Sequence, residues 1–266
     1  MKELNNYLEI AVHSAKEAGH YLLNQFNKEH VPNYKSEFDV GLDVDKESES
    51  IILAKIQKFF PSHNIYSEET GTINNKSEFT WYIDPLDGTN NYFLGIPYFG
   101  VSIALVKNNE IILGVVYNPV GSQLFSAVKD GGAFINKKKI EAGDENNFNY
   151  SIASFIRGHA KTNEVAEENE YQKIGQILSN NFSRVLKMWA PSLDWCLLAL
   201  GKTDTLISYK SDYEDMFAGL LIAQEAGAKI YNFDGQPYQY GDSRVVAVSP
   251  GLEKNIFSLL ESFLKK

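Results

Sequence analysis

The sequence contains a single cysteine, Cys196, among its 266 residues. One thiol leaves no partner for an intrachain disulfide and no cysteine cluster for zinc or an iron–sulfur centre, so we expect a reducing, cytoplasmic setting. A basic excess is also lacking: 25 Lys and Arg stand against 34 Asp and Glu, a net charge of −9, which disfavours binding to a nucleic-acid backbone. No run reaches the roughly 18 apolar residues of a membrane span, and residues 1–6 do not resemble a leader. We expect a soluble protein without nucleic-acid or membrane partners.

Apolar spacing gives the two halves of the chain different patterns. In the first half, apolar residues recur at steps of three and four over residues 4–22 and 51–59, which predicts two helices. Four segments rich in β-branched and aromatic residues then predict an antiparallel meander. These segments are residues 79–84, 99–106, 111–117 and 123–128. From residue 151 onward, predicted strands and helices alternate. We therefore expect an N-terminal α+β half (1–145) and a C-terminal α/β half (146–266) that form one compact unit.

The most informative string is D-P-L-D-G-T at residues 84–89. A proline keeps Asp84 in extended backbone, and the glycine after Asp87 allows a sharp turn, so both carboxylates can converge at a strand end. Together with the Leu86 carbonyl they form a set of hard oxygens, which Mg²⁺ prefers. Residues 89–91 follow as cap residues whose N–H groups could face a phosphate. The pattern D-P-x-D-G-T is expected by chance in only about one such chain in 10⁴, which favours a functional site.

Other acidic residues lie apart from this motif. Glu68 and Glu69 follow a β-patterned run, where an exposed acidic loop is the simpler interpretation. Asp45 lies at a helix start, which favours acids through the helix dipole. Asp215 follows Asp212 by three residues at the start of an apolar helix, a spacing that resembles a capping arrangement. On local sequence, a capping role and a functional role for Asp215 both stay open.

Taken together, these motifs resemble the inositol monophosphatase family of Mg²⁺-dependent, lithium-sensitive phosphatases. The family's signature is an acidic pair, then D-P-[IL]-D-G-T, then a distant W-D-x-A-A. The matching stretches here are residues 67–69, 84–89 and 214–218, and residues 84–105 and 223–228 are similar to the family as well. The resemblance covers essentially the whole chain. It implies a five-layer αβαβα sandwich, two sheets with helix layers, and a homodimer.

The resemblance also implies roles for individual residues. Up to three Mg²⁺ ions are expected, with these ligands: Glu68, Asp84, the Leu86 carbonyl, Asp87 and Asp215. Thr89 and Asp45 match the pair that orients and deprotonates the attacking water, and Glu68 also counts as catalytic. The expected phosphate cradle consists of Gly88, Thr89 and Asn90. Glu69 and Lys35 match positions beside the site.

Three departures from the family pattern concern the substrate. The aromatic residue before the last metal-binding Asp is Glu214 here. A small-residue stretch that lines the substrate in the inositol enzymes begins with Trp189, and the acid that holds the ring hydroxyls there is replaced by Ser208. We expect Trp189 and Ser208 to lie at the substrate site, and inositol 1-phosphate not to be strongly preferred, because a serine cannot make the paired contacts of a carboxylate.

The resemblance implies Mg²⁺-dependent hydrolysis of a small phosphate monoester, either an inositol phosphate or a related polyol or sugar phosphate. One alternative is a 3′(2′),5′-bisphosphate nucleotidase, in which Trp189 would stack on a base. The nucleotidases of this superfamily usually have Lys-Glu after D-G-T, whereas this chain has Asn90 and Asn91. A second alternative is a non-catalytic relative that binds metal or a partner, although such a protein has no need to retain every metal acid. Substrate, oligomer and pathway stay open.

Overall fold

The computed structural model describes residues 2–30, 32–34, 40–143, 148–158 and 165–264. In these residues the chain forms seven α-helices, fifteen β-strands and a 3₁₀ turn at Phe148–Tyr150. The helices are α1 (Lys2–Gln25), α2 (Asp43–Phe59), α3 (Thr89–Phe93), α4 (Val165–Asn181), α5 (Pro191–Ala199), α6 (Tyr213–Glu225) and α7 (Glu253–Leu264). The strands are β1 (Asn33–Tyr34), β2 (Val40–Gly41), β3 (Asn64–Ser67), β4 (Gly71–Ile73), β5 (Phe79–Asp87), β6 (Gly100–Lys107), β7 (Glu110–Asn118), β8 (Gln123–Val128), β9 (Ala133–Ile135), β10 (Lys138–Ile140), β11 (Ile152–Arg157), β12 (Arg184–Leu186), β13 (Thr205–Tyr209), β14 (Lys229–Asn232) and β15 (Arg244–Val248).

The larger sheet has eight strands in the order β10-β9-β8-β7-β6-β5-β3-β4. Strands β5 to β8 pair antiparallel with their neighbours in sequence, so the predicted meander is confirmed. The polar residues 138–150 predict a crossover loop, and this prediction is wrong for residues 138–140, which form β10 and a hairpin with β9. β3 lies beside β5 and runs parallel to it. This parallel pair matters for the site because the carboxyl ends of parallel strands meet at one edge of a sheet.

The smaller sheet has five strands in the order β12-β11-β13-β15-β14. β11 runs parallel to both β12 and β13, whereas β15 runs antiparallel to β13 and β14. The β-patterned residues 184–189 predict a strand that ends at Trp189, but β12 ends three residues earlier, at Leu186. Trp189 itself has a left-handed backbone (φ +55°), which is incompatible with a strand at that position.

Three apolar cores separate the layers. The first joins α1 and α2 to one face of the larger sheet, with Ala11, Ala15 and Leu22 buried along one stripe of α1. The second lies between the two sheets and contains α5 and α6, and the third joins the smaller sheet to α4 and α7. Gly114 of β7 allows the close approach of α6, since a Cβ there would lie 2.5 Å from the Ala218 carbonyl oxygen. The predicted five-layer αβαβα sandwich is confirmed.

The central layer connects the two halves of the chain. α5 and α6 belong to the second half of the sequence, yet they pack in the same core as the face of the larger sheet, which the first half builds. The division at residue 145 stays a prediction. None of the helices in the described ranges is both long enough and apolar enough to cross a bilayer.

Candidate metal centre

The D-P-L-D-G-T motif forms the end of β5, where the strand is irregular. Asp84 pairs with Ser102, and Asp87 pairs with Gly100. β5 therefore advances three residues where β6 advances only two, which means that β5 contains one extra residue, a β-bulge. Side chains three apart in a regular strand point to opposite faces, and one extra residue brings them back to the same face. The bulge therefore turns both carboxylates to one side. Asp84 Oδ1 also accepts the Leu86 N–H at 2.9 Å, which fixes its direction.

The turn after the bulge begins α3 and depends on a glycine. Gly88 has φ +90°, and a Cβ there would lie 3.0 Å from the Tyr98 carbonyl oxygen and 3.1 Å from the Ala190 Cβ. Thr89 Oγ1 donates to the Leu86 carbonyl oxygen at 2.9 Å. A carbonyl oxygen has two lone pairs, so this bond leaves Leu86 one for another partner.

Asp87 is anchored by a residue that no sequence motif indicated. Its Oδ2 accepts hydrogen bonds from the backbone N–H of Ser192, at 2.9 Å, and from the Ser192 hydroxyl, at the start of α5. Burial raises the pKa of Asp87 to about 7, although these bonds oppose the shift. The two residues are 105 positions apart, so only the fold could reveal the contact.

Glu68 and Asp215 converge on the same place from two other elements. Glu68 follows β3, and its N–H donates to the Ile83 carbonyl oxygen at 3.3 Å, beside Asp84. Asp215 lies in the first turn of α6 and shares a hydrogen bond with Asp84. The residue at the N-cap of α6, Asp212, makes no side-chain capping bond. Four acids from three elements thus meet at one sheet edge.

The electrostatics of these acids are unfavourable as they stand. Burial, and then the charge of Glu68, holds the pKa of Asp84 well above its usual range. Burial, and then the charge of Glu214, does the same for Asp215. In the described part of the chain, no basic side chain is among the causes of these shifts. The described residues therefore place several buried carboxyl groups beside one another, and burial and mutual repulsion both oppose their ionisation.

Glu214 adds a further carboxylate that the resemblance did not include. It is only 6% exposed, and its Oε2 has no hydrogen-bond partner. Burial raises its pKa to about 7, opposed by its own backbone N–H and with a contribution from the charge of Asp212. The sequence did signal this residue, as the departure from the family's aromatic position.

Asp45 lies in the first turn of α2, and its Oδ2 accepts the Leu42 N–H at 2.5 Å. The helix start that the sequence predicted is therefore real. One helical turn further, Ser48 donates to the Pro85 carbonyl oxygen at 2.7 Å. Because residues three apart share a helix face, this bond places the Asp45 face of α2 against the D-P-L-D-G-T segment.

Of the residues expected near the substrate, Trp189 is the most exposed, at 60%. Its carbonyl oxygen lies 3.3 Å from where a Cβ of Gly88 would be, so the segment packs against the α3 turn. Asn91 Nδ2 holds that segment by donating to the Met188 carbonyl oxygen at 2.7 Å. Ser208 is fully buried and donates to Ser211 Oγ at 2.6 Å. A substrate role for Ser208 stays a prediction.

The remaining expected site residues are less informative. Asn90 lies in the first turn of α3 and is half-buried. Glu69 directly follows Glu68, and the Glu69 N–H donates to Glu49 Oε1 at 3.2 Å. Lys35 lies outside the described residues.

The donor set fits a hard divalent cation. Every acidic group at the site offers carboxylate oxygens, and the Leu86 carbonyl adds one more, which is the ligand type that Mg²⁺ takes. Among the described residues, no three acidic, histidine or cysteine side chains are arranged as a ready-made metal centre. A bound divalent cation would offset the mutual repulsion of these carboxylates.

Nearly the whole chain is similar to known proteins. The model of the inositol monophosphatase family matches residues 3–264. The chain belongs to this family. Members with solved structures share the fold: the inositol monophosphatase from Anabaena superposes with a TM-score of 0.85 at 29% identity, covering 98% of this chain and 97% of that one. The extragenic suppressor protein SuhB from Bartonella henselae gives 0.90 at 25%, covering 97% and 100%.

Relatives within the family carry different names. A protein of Aquifex aeolicus named fructose-1,6-bisphosphatase/inositol-1-monophosphatase is 34% identical, over 100% of this chain and 99% of its own length. A Pasteurella multocida protein named Nus factor SuhB is 31% identical, over 98% of both chains. Membership of this family supports a metal-dependent phosphatase, and these names leave its exact activity to be determined.

Proposed function

We propose that the protein hydrolyses a small phosphate monoester with the help of Mg²⁺. The observation that carries this proposal is the cluster at the end of β5, where Asp84 and Asp215 have raised pKa values and no basic partner contributes to the shifts in the described residues. Such a cluster costs stability unless it holds cations. A phosphate monoester, itself doubly charged, is attracted to an acidic site only when cations lie between the two.

The residues divide the work as follows. The cation ligands are Glu68, Asp84, the Leu86 carbonyl, Asp87 and Asp215. When bound, Mg²⁺ would polarise the phosphoryl oxygens and lower the pKa of a water molecule. Thr89 orients the attacking water, and Asp45 accepts its proton. The N–H groups of Gly88, Thr89 and Asn90 bind the phosphate, with Glu69 and Lys35 beside the site.

The substrate we propose is a polyol or sugar phosphate, taken without strong preference for one ring. The double name of the Aquifex aeolicus relative, which lists two phosphatase activities, supports this breadth. The exposed indole of Trp189 at the α3 turn also supports a flat wall instead of the small-residue wall of the inositol enzymes. A bisphosphate nucleotidase is the alternative within the enzyme class. We further propose a cytoplasmic homodimer that lithium inhibits.

A second candidate function comes from the relatives named Nus factor SuhB, at 31% identity over 98% of both chains for the Pasteurella multocida protein. In that case the chain would act as a binding partner, and phosphate release would be dispensable.

Phosphate release from a panel of phosphomonoesters separates these candidates. The panel contains inositol 1-phosphate, fructose 1,6-bisphosphate, glycerol 2-phosphate and adenosine 3′,5′-bisphosphate, each with Mg²⁺ and with chelator. We expect Mg²⁺-dependent release from several polyol and sugar phosphates. Release from the adenosine bisphosphate alone would favour the nucleotidase, and no release from any compound would contradict the enzyme proposal.

A further inference from the structure

Glu49 is a buried carboxylate on α2 that none of the assigned roles uses. It is 4% exposed and lies one turn after Asp45 on the same helix. Its Oε1 accepts the N–H groups of Glu69, at 3.2 Å, and Thr70, at 3.0 Å. Its Oε2 accepts the Thr70 hydroxyl at 2.5 Å. All three donors belong to residues 69 and 70, which directly follow Glu68 in the turn between β3 and β4.

Burying the Glu49 carboxylate costs free energy, because the group loses its hydration. A buried carboxylate needs several hydrogen bonds to offset its lost hydration. Here those bonds are concentrated on two residues of one turn, instead of being shared with the helix's own neighbours. The same turn is tied to β5 by the Glu68 N–H, which donates to the Ile83 carbonyl oxygen at 3.3 Å, whereas its described side-chain contacts to α2 are those with Glu49. The carboxylate therefore determines where this turn lies relative to α2.

α2 also contacts the other acidic segment. Ser48, adjacent to Glu49, donates to the Pro85 carbonyl oxygen at 2.7 Å, between Asp84 and Leu86. One helix thus binds the β5 bulge through Ser48 and the Glu68 turn through Glu49. Since these two segments bring acids to the same cluster, α2 sets the spacing between them.

We infer that Glu49 is a positioning residue that holds Glu68 at the spacing a divalent cation requires. Glu49 does not touch the cation or the substrate. It acts through the Glu69 and Thr70 backbone, and groups that orient ligands in this way typically change cation affinity about 10–100-fold when removed. The inference rests on the proposed function in one respect only, namely that the acid cluster holds a cation.

The test is a titration with Tb³⁺, a luminescent cation that binds oxygen ligands, on the full chain. We expect Glu49→Ala to weaken Tb³⁺ binding at least about tenfold. Glu49→Gln keeps an oxygen that accepts the two N–H groups, so binding should stay within about threefold of wild type. Glu47→Ala is the matched control, because it removes the same charge from an exposed position of α2 and should change nothing.

Mg²⁺ activation provides a second readout. In Glu49→Ala, the Mg²⁺ concentration for half-maximal phosphate release should rise by the same factor, while KM for substrate at saturating Mg²⁺ stays within about twofold. A purely structural loss would lower the amount of folded protein and leave both constants unchanged.

Several outcomes would overturn the inference. Unchanged Tb³⁺ affinity in folded Glu49→Ala is one. Equal weakening in Glu49→Gln and Glu49→Ala is another, because it would assign the effect to charge instead of position. If circular dichroism shows that Glu49→Ala does not fold, Thr70→Val removes only the hydroxyl contact, and unchanged affinity there contradicts the inference. If wild type releases no phosphate yet binds Tb³⁺ in a Glu49-dependent way, the proposed function fails and this inference stands.

Discussion

Acidic residues occur in two very different settings in this protein. On α4, in an outer layer, Glu168 pairs with Arg157 at 2.6 Å and Glu170 pairs with Arg244 at 2.9 Å. Hydrogen bonding to Gln172, and then to Arg157, lowers the pKa of Glu168. At the end of β5, burial and neighbouring carboxylates raise the pKa of Asp84 instead.

The difference lies in what each set of charges contributes. The α4 acids are exposed or half-exposed and have basic partners, so their charges are compatible with folding and contribute little either way. The β5 acids are buried next to one another, so ionisation works against folding. Buried acidic residues that destabilise the fold indicate a functional requirement, and binding a cation would meet that requirement. The predictions below test this contrast.

The largest expected effect is that of removing divalent cations. Neighbouring carboxylates contribute to the raised pKa values of Asp84 and Asp215, and no basic side chain of the described residues does. We therefore expect phosphate release to fall to background in chelator and to return with added Mg²⁺. The measurement is a phosphate-release assay before and after dialysis against chelator. Full activity in the chelated protein would remove the metal mechanism.

The second largest effect on activity should come from the Asp87→Asn substitution. The amide keeps an oxygen that can accept from Ser192, so the fold should persist, but a charged ligand is lost. We expect kcat to fall at least about 100-fold. Glu168→Gln on α4 is the control, with unchanged turnover expected. Equal activity of the two variants would mean that the two sets of acids do not differ as described.

The next largest effect concerns how the stability of the metal-free protein depends on pH. Buried acids with raised pKa values should dominate this dependence, and the exposed acids of α4 should contribute little. Asp194, a buried residue of α5 that accepts the Tyr98 hydroxyl at 3.0 Å, also has a raised pKa. Burial raises the pKa of Asp87 to about 7 and that of Asp194 to about 8, whereas an unfolded aspartate titrates near 4. Between about pH 4 and pH 7 to 8, the folded state therefore binds more protons than the unfolded state. The stability that these protons provide is progressively lost as the pH rises, and the loss is complete above the folded pKa values of about 7 to 8. We expect metal-free protein to be less stable at pH 8 than at pH 5 by on the order of 6 kcal/mol, to which Asp87 and Asp194 both contribute.

Urea unfolding in chelator at several pH values provides that measurement. Asp87→Asn should flatten the dependence, because it removes one of the titrating groups. Metal-free wild type that is most stable at pH 8 would contradict the assignment of unfavourable charge to this cluster.

The smallest expected effect concerns Trp189. We expect kcat/KM for inositol 1-phosphate to lie within about tenfold of other small phosphomonoesters, because we propose that Trp189 replaces the small-residue wall of the inositol enzymes. Trp189→Gly should relieve the left-handed backbone and raise stability by about 1 kcal/mol. A panel in which inositol 1-phosphate leads by more than about a hundredfold would show that another residue holds the ring.

Local sequence signals predicted the long helices, the strands of the meander and the D-P-L-D-G-T motif, but not β10. The apolar spacing of residues 4–22 predicted α1, and the alternation after residue 151 predicted the second sheet, because both patterns report burial on one face. The D-P-L-D-G-T string indicated the convergence of Asp84 and Asp87, since the proline and glycine restrict the backbone locally. The family resemblance supplied the five-layer order.

Contacts between distant segments could not be predicted in this way. The anchoring of Asp87 by Ser192 spans 105 positions, and Glu49 holds the turn at residues 69 and 70 without any motif. The parallel placement of β3 beside β5 is likewise a property of the sheet, not of either strand. Ser208 shows the same limit, since its burial depends on neighbours that its local sequence does not specify.

Asp215→Asn tests the central claim most directly, because its two interpretations differ in sign. We predict that phosphate release falls at least about 100-fold, while the thermal stability of the metal-free protein stays level or rises, since the variant removes one charge from a repulsive cluster. A helix cap would behave in the opposite way. Retained turnover together with a stability loss of about 1 kcal/mol would contradict the account.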